Sequence, residues 1–260
     1  MRTIVIVSGL LALAGCAGFP IEELLASSAI VAELPRESGE RVEVARFSAG
    51  RAGESPPDRW EPFAVSRSGT RTEYRLVDSG QGVVLEARAD GSASGFYRRV
   101  RFDPMRYPVV EWRWRVVQPL PEADPRIASR EDSAARLVIS FHGDADKLDF
   151  QERFTLRLYK GLSGEKLPFA MLMYVWSSDA PVGTVAPNVH TEKIQTIVVD
   201  SGTTRTGVWR QFRRNVLEDY RRVFGEDPWD VVAVGVMTDA DNTRQKARAQ
   251  YGDITFRKAQ

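Results

Sequence analysis

From residue 42 onward the chain keeps returning to a period of two. The clearest instance is Val109 to Val117, where Trp112, Trp114 and Val116 fall on one side and Glu111, Arg113 and Arg115 on the other. Successive side chains of a strand point to opposite faces, so this segment reads as a strand with one apolar and one polar face. Similar stretches begin at Val42 and run over Thr72 to Val77, Val83 to Arg88, Phe96 to Phe102, Leu137 to Phe141 and Phe154 to Tyr159. Met171 to Trp176, Ile194 to Val199, Val231 to Met237 and Tyr251 to Phe256 complete a set of about eleven, broken by Gly, Pro, Asp and Ser clusters. Helical patterns do not alternate with these strands, which disfavours βαβ units. The closure expected for many short strands is an all-β antiparallel sandwich or jelly roll.

One helical pattern interrupts this series, over about Val208 to Phe224. Trp209, Phe212, Val216, Tyr220 and Val223 recur at spacings of three and four, an apolar stripe. Arg210, Arg213, Arg214, Arg221 and Arg222 lie largely off it, and Gly225 is placed as a C-terminal cap. The helix is expected to pack on the sandwich with its basic side in solvent.

The N-terminus carries a different signal. Arg2 precedes an apolar run from Ile4 to Ala14 that ends in Leu13-Ala14-Gly15-Cys16. The run is too short to span a bilayer, which takes roughly 20 apolar residues, and has the length of a signal-peptide core. Its end resembles the lipobox of bacterial lipoproteins. That resemblance implies cleavage before Cys16 and lipidation of Cys16, with several acyl chains anchoring the protein stably. The alternative is an ordinary secretory signal with a stray cysteine. Ala17 stands where an aspartate would be an inner-membrane retention signal. The expected location is therefore the periplasmic face of the outer membrane. The organisation expected is a signal peptide over 1–15, a lipidated cysteine and tether over 16–41, and a β-sandwich domain over 42–260.

Composition narrows the chemistry. With 36 basic and 35 acidic residues the net charge is +1, so the basic excess of a nucleic-acid binder is missing and no nucleic-acid partner is expected. Cys16 is the only cysteine, which excludes an intrachain disulfide and a cysteine zinc site in the folded body. A histidine-dependent site would have to use His142 or His190, the only two. No P-loop, Gly-x-Ser-x-Gly, His-Glu-x-x-His or Gly-x-Gly-x-x-Gly motif occurs.

Four groups of residues are candidates for a site. Arg113 and Arg115 on the Trp-Arg-Trp-Arg strand offer planar guanidinium groups suited to carboxylate or phosphate, and Arg136 joins them if its strand is adjacent. The alternative is that they pair with acids on neighbouring strands. Tyr174 and Trp176 share a face and suit a sugar-stacking platform, unless they are core. Asp239, Asp241 and Asn242 supply hard oxygen atoms suited to calcium, although Arg244 and Gln250 stand where an EF-hand needs glycine and glutamate. A plain turn explains the same residues. His142, followed by Gly143, Asp144 and Asp146, marks a further loop that suits a cation or a general base, unless it is simply an exposed loop histidine.

Several segments in order carry a family resemblance: Pro57-Asp58-Arg59-Trp60-Glu61-Pro62-Phe63, Ser92-Ala93-Ser94-Gly95-Phe96 and Glu111-Trp112-Arg113-Trp114-Arg115-Val116. Tyr174-Val175-Trp176, Asp219 to Gly225, Thr238 to Thr243 and Tyr251-Gly252-Asp253-Ile254 continue the series. Together they resemble an uncharacterised bacterial secreted family, a DUF3047-type domain of unknown function, over about 45–257. The resemblance implies a β-sandwich similar in outline to carbohydrate-binding domains, and no activity. The function expected is non-catalytic binding of a glycan or another anionic envelope ligand. A polysaccharide-acting hydrolase and a structural or assembly partner in the envelope are the alternatives.

Overall fold

The computed structural model describes residues 39–57, 59–64, 70–144, 169–188 and 191–259. Cys16 and most of the tether, the stretch Phe154 to Tyr159, Asp146 and His190 lie outside the described residues.

Thirteen strands are described. They are β1 Arg41–Ala45, β2 Trp60–Ala64, β3 Glu73–Asp78, β4 Val83–Asp90, β5 Ala93–Phe102, β6 Val109–Gln118 and β7 Ser133–Phe141. β8 Ala170–Ser177, β9 Val185–Asn188, β10 Thr191–Ser201, β11 Arg210–Asn215, β12 Val231–Asp239 and β13 Lys246–Arg257 follow, with α1 Val216–Phe224 after β11. They form two sheets. The first has the order β11-β6-β13-β4-β3, with β1 also paired to β13; the second has the order β2-β5-β12-β7-β8-β10-β9. This is the all-β sandwich of jelly-roll type that the period of two implies. One pair departs from the antiparallel expectation: β8 and β10 run parallel, and β9 lies antiparallel against β10.

The apolar sides of the two sheets make one core. Trp112 and Trp114 of β6 are 4% and 0% exposed, while Arg113 and Arg115 between them stay partly exposed, so the alternation read along this strand is realised. Tyr251 of the first sheet joins the second by donating from its hydroxyl to the Met237 carbonyl at 2.7 Å. Burying that hydroxyl unpaired would cost about 1–3 kcal/mol, so the bond also specifies how the sheets register.

The helix is shorter than the apolar stripe suggests. Residues 210–215 form the edge strand β11, paired antiparallel to β6, and the helix begins only at Val216. Pairing against β6 satisfies the backbone. It also seats Phe212 against Trp112 and Trp114, at ring-centre distances of 5.0 and 4.7 Å. Asn215 ends the strand and caps the helix, accepting from the Glu218 N–H at 3.2 Å. Gly225 closes the helix with φ 72°, the left-handed conformation that glycine adopts freely. The helix arginines are engaged: Arg221 pairs with Asp227, and Arg222 with Asp219.

Candidate functional site

The outward side of the first sheet is built by strand register. Arg115 on β6 stands opposite Gln250 on β13, Gln250 opposite Glu86 on β4, and Glu86 opposite Arg75 on β3. Four consecutive strands thus place one row of polar side chains on the same face. The row is hydrogen-bonded along most of its length. Arg115 donates from Nε to Gln250 Oε1 at 3.0 Å, and Gln250 Nε2 donates to Glu86 Oε2 at 2.7 Å. Arg248 donates to Glu86 Oε2 at 2.9 and 2.6 Å, and Arg88 to Glu86 Oε1 at 2.7 Å.

Glu86 is only 2% exposed. Burial pushes its carboxyl up, but the hydrogen bonds from Arg248, Gln250 and Arg88 outweigh burial and hold it below the ordinary glutamate range. It is therefore an ionised anchor around which two guanidinium groups are fixed. Beside it, Glu86 and Arg88 help line a cavity of about 340 Å³ whose other walls include Gly53, Arg75 and Leu76.

At the opposite end of the row, Trp209 lies just before β11. The guanidinium carbons of Arg113 and Arg115 sit 4.6 and 5.0 Å from its ring centre. Cation–π contacts of this kind are worth about 0.5–1 kcal/mol each where exposed. Arg113 also donates from Nη2 to the Gln81 carbonyl at 3.4 Å. Its side chain crosses Gly252, where a Cβ would lie 2.5 Å from Arg113 Cγ, so the glycine makes room for it. Among the described residues neither Arg113 nor Arg115 has a carboxylate partner. Trp209 was missed as a site residue because its spacing to Phe212 and Val216 fits a helix stripe. Gln250, Glu86, Arg88 and Arg248 were missed because only the strand pairing brings them into line.

The remaining sequence-derived candidates are placed elsewhere. Arg136 lies on β7 in the second sheet and is 6% exposed, so it does not join Arg113 and Arg115 on one face. Its guanidinium donates to both carboxylate oxygens of Asp239, at 2.9 and 2.8 Å. Tyr174 and Trp176 are 0% and 2% exposed. They form no open platform: Tyr174 stacks on Trp112 at 5.2 Å and donates to Asp219 Oδ2 at 2.8 Å, and Trp176 donates to the Gly202 carbonyl at 3.2 Å. His142 is exposed and packs against the half-exposed Trp229, ring centres 5.5 Å apart.

The Asp239 loop gains a third carboxylate. Asp132, Asp239 and Asp241 each bring an oxygen within 4.8 Å of the others. Asp132 accepts from the Asn242 N–H at 3.2 Å, and from the Thr243 N–H and hydroxyl at 2.7 and 2.6 Å. Burial, reinforced by Asp132 and opposed by Arg136, pushes the Asp239 carboxyl up to about 6. Burial and Asp132 also raise Asp241. The oxygen chemistry suits calcium. The donor set fits a cation poorly as a whole, because Arg136 occupies both oxygens of Asp239 and Asp132 already accepts from the Asn242 and Thr243 backbone and the Thr243 hydroxyl. A cation would be left with Asp241, the Asn242 side-chain oxygen and what Asp132 has free.

Comparison with known proteins follows the fold. The family described as "Protein of unknown function (DUF3047)" matches residues 58–255. No curated protein matches the chain. Among solved structures, the endoglucanase Cel12A from Rhodothermus marinus is similar at 13% identity and a TM-score of 0.40, over 77% of this chain and 93% of that one. The carbohydrate recognition domain of Emp47p is similar at 9% identity and a TM-score of 0.40, over 86% and 100%. The glycoside hydrolase domain of Endo-D from Streptococcus pneumoniae R6 aligns at 8% identity and a TM-score of 0.31, and this chain spans only 22% of its length. Likenesses this distant assign neither a ligand nor an activity.

Proposed function

Starting from the fact that this chain belongs to the DUF3047 family, a domain of unknown function, we propose that it is a non-catalytic glycan-binding protein of the cell envelope. The outward face of the first sheet is its binding surface. The observation that carries this reading is the polar row from Arg115 through Gln250 to Glu86 and its two arginines, ending beside the 340 Å³ cavity. Sugar hydroxyls need donors and acceptors held in fixed positions, because ordering flexible side chains costs binding free energy. Here Gln250 and Glu86 are buried and hold Arg115, Arg88 and Arg248 in place, and those partly exposed arginines are the donors a sugar meets. The cavity falls in the lower part of the range of small-ligand sites, roughly 300–1,000 Å³.

A hydrolase reading would rest on the Asp132, Asp239 and Asp241 carboxylates. The double hydrogen bond of Arg136 to Asp239 argues against it, since it ties up one of the two buried acids of the three in a fixed ion pair. Anchoring belongs to the same proposal: Cys16 carries lipid and holds the domain at the periplasmic face of the outer membrane, the run Leu13-Ala14-Gly15-Cys16 supporting it.

Two experiments test these points. The full-length protein, solubilised in detergent, is screened on a glycan array. Retention of defined glycans that is lost in Gln250→Ala supports the reading, and an array without signal removes it. Labelling with a fatty-acid analogue should mark the protein and not Cys16→Ser; equal labelling of both removes the anchor.

A further inference from the structure

The two arginines over Trp209 say something more about the ligand than the polar row does. Arg113 and Arg115 are alternate residues of one strand, so their Cα atoms lie about 7 Å apart on the same face. Both guanidinium groups are drawn over a single indole ring, 4.6 and 5.0 Å from its centre. Like charges so placed repel, and elsewhere on this face arginines have a carboxylate partner. Arg248 and Arg88 share Glu86, and Arg213 and Arg257 share Glu111 at 3.4 and 2.5 Å. Arg113 and Arg115 have, among the described residues, a backbone carbonyl and a side-chain amide oxygen instead of a carboxylate. Both remain partly exposed. Contact with the ring restrains both groups and, among the described residues, leaves guanidinium N–H groups without a protein acceptor, free to receive an oxyanion through paired hydrogen bonds.

We infer that the Arg113–Trp209–Arg115 cluster is an oxyanion subsite, and that the glycan bound on this face is an acidic one bearing carboxylate or phosphate groups. This inference rests on the glycan reading of the same face and narrows it. The anion contributes the charge that the protein withholds from these two arginines. Gln250 fixes Arg115, Gln81 and the space over Gly252 fix Arg113, and both guanidinium groups rest on Trp209.

The test uses the full-length protein in detergent and titration calorimetry with two matched pairs of probes. One pair is an oligogalacturonate and its methyl ester; the other is glucose 6-phosphate and glucose. An acidic member binding at least about tenfold tighter than its neutral partner supports the inference, and which pair shows the preference tells carboxylate from phosphate. Arg113→Gln with Arg115→Gln should erase that preference while the melting temperature stays within a few degrees. Arg113→Lys with Arg115→Lys should retain only part of it, since charge remains but the planar fork is lost. Equal binding of acidic and neutral partners overturns the oxyanion subsite and leaves the glycan reading standing. Absence of binding by all four probes overturns the subsite and counts against the glycan reading too. A preference that survives the double glutamine variant overturns the assignment to these arginines.

Discussion

Arg136 and Asp239 form a bidentate ion pair inside the second sheet, with side chains 8% and 6% exposed. The pair joins β7 to the end of β12. Asp239 also accepts from the Ser133 N–H at 3.0 Å, so one carboxylate fixes the start of β7 as well. Removing one partner strands the other's charge in a place water does not reach, a loss of about 3–5 kcal/mol where it has been measured for buried pairs. Arg136→Gln and Asp239→Ala should each lower stability by that order in chemical denaturation. A loss below about 1 kcal/mol for Arg136→Gln would mean that the pair is solvated in solution.

Asp241 should behave in the opposite way. Burial and the nearby Asp132 carboxylate raise its pKa, so its ionised form is disfavoured in the folded chain. A raised folded pKa contributes stability that is complete below the unfolded value, about 3.9, and is lost as pH rises through the folded value. Asp241→Asn removes the ionisation. The variant should therefore melt higher than the wild type near pH 7, and this advantage should shrink toward pH 4. Melting curves at both pH values check it. The same curves with millimolar calcium or with chelator test the cation reading of the loop: a bound ion stabilises the fold by RT ln(1 + [L]/Kd), so unmoved midpoints leave Asp132 and Asp241 as loop-closing acids.

The two sides of β6 should separate in mutational cost. Trp112 and Trp114 fill the core against Phe212, and Trp112 also against Tyr174, so truncation of either to alanine should cost about 3–5 kcal/mol. Arg113→Gln should cost no more than about 1 kcal/mol, the worth of one exposed cation–π contact and a 3.4 Å hydrogen bond. Denaturant titrations of the four single variants of residues 112–115 make the comparison. An alternating pattern of large and small losses is the expected outcome; a large loss for Arg113→Gln would make that side chain structural.

How much of this was legible in the chain differs by feature. The faces of β6 were, because alternation within a strand is a local property, and so were most other strands and the sandwich they imply. Strands β2 and β9 escaped notice because five and four residues, each including a proline, carry too little period. The stretch 208–215 misled because Trp209, Phe212 and Val216 suit a helix stripe. A lone Asn215 was the signal that the helix starts later. The site was harder. Arg113 and Arg115 were visible as outward cations, but Gln250 and Glu86 lie 135 and 29 residues from Arg115 in the chain, and only cross-strand register joins them. Arg136 was assigned to the wrong surface for the same reason. Its strand looked adjacent in sequence, yet β6 and β7 belong to different sheets. Whether a charged residue on a strand faces solvent or a buried partner depends on what the other sheet brings to it, as Asp239 does here.

Gly252 offers a test of the arginine cluster that leaves every charged residue in place. A Cβ at this position would lie 2.5 Å from Arg113 Cγ and 2.7 Å from Nε, closer than atoms tolerate. The obstacle is the middle of a long side chain rather than backbone, so the fold has an inexpensive escape: Arg113 swings away from the sheet. Gly252→Ala should therefore keep a melting temperature within a few degrees of wild type while withdrawing the guanidinium from the Trp209 ring. Two readouts should move together. Tryptophan fluorescence should change, and not in a Trp209→Phe background, because a cation leaves that ring face, and affinity for an oligogalacturonate should fall about as far as in Arg113→Gln. The Gly252→Ala, Arg113→Gln double variant should be no weaker than either single one, since both act through the same side chain and coupled sites do not add. Additive losses in that cycle would show that the glycine matters for another reason and that Arg113 is not positioned by the space over it.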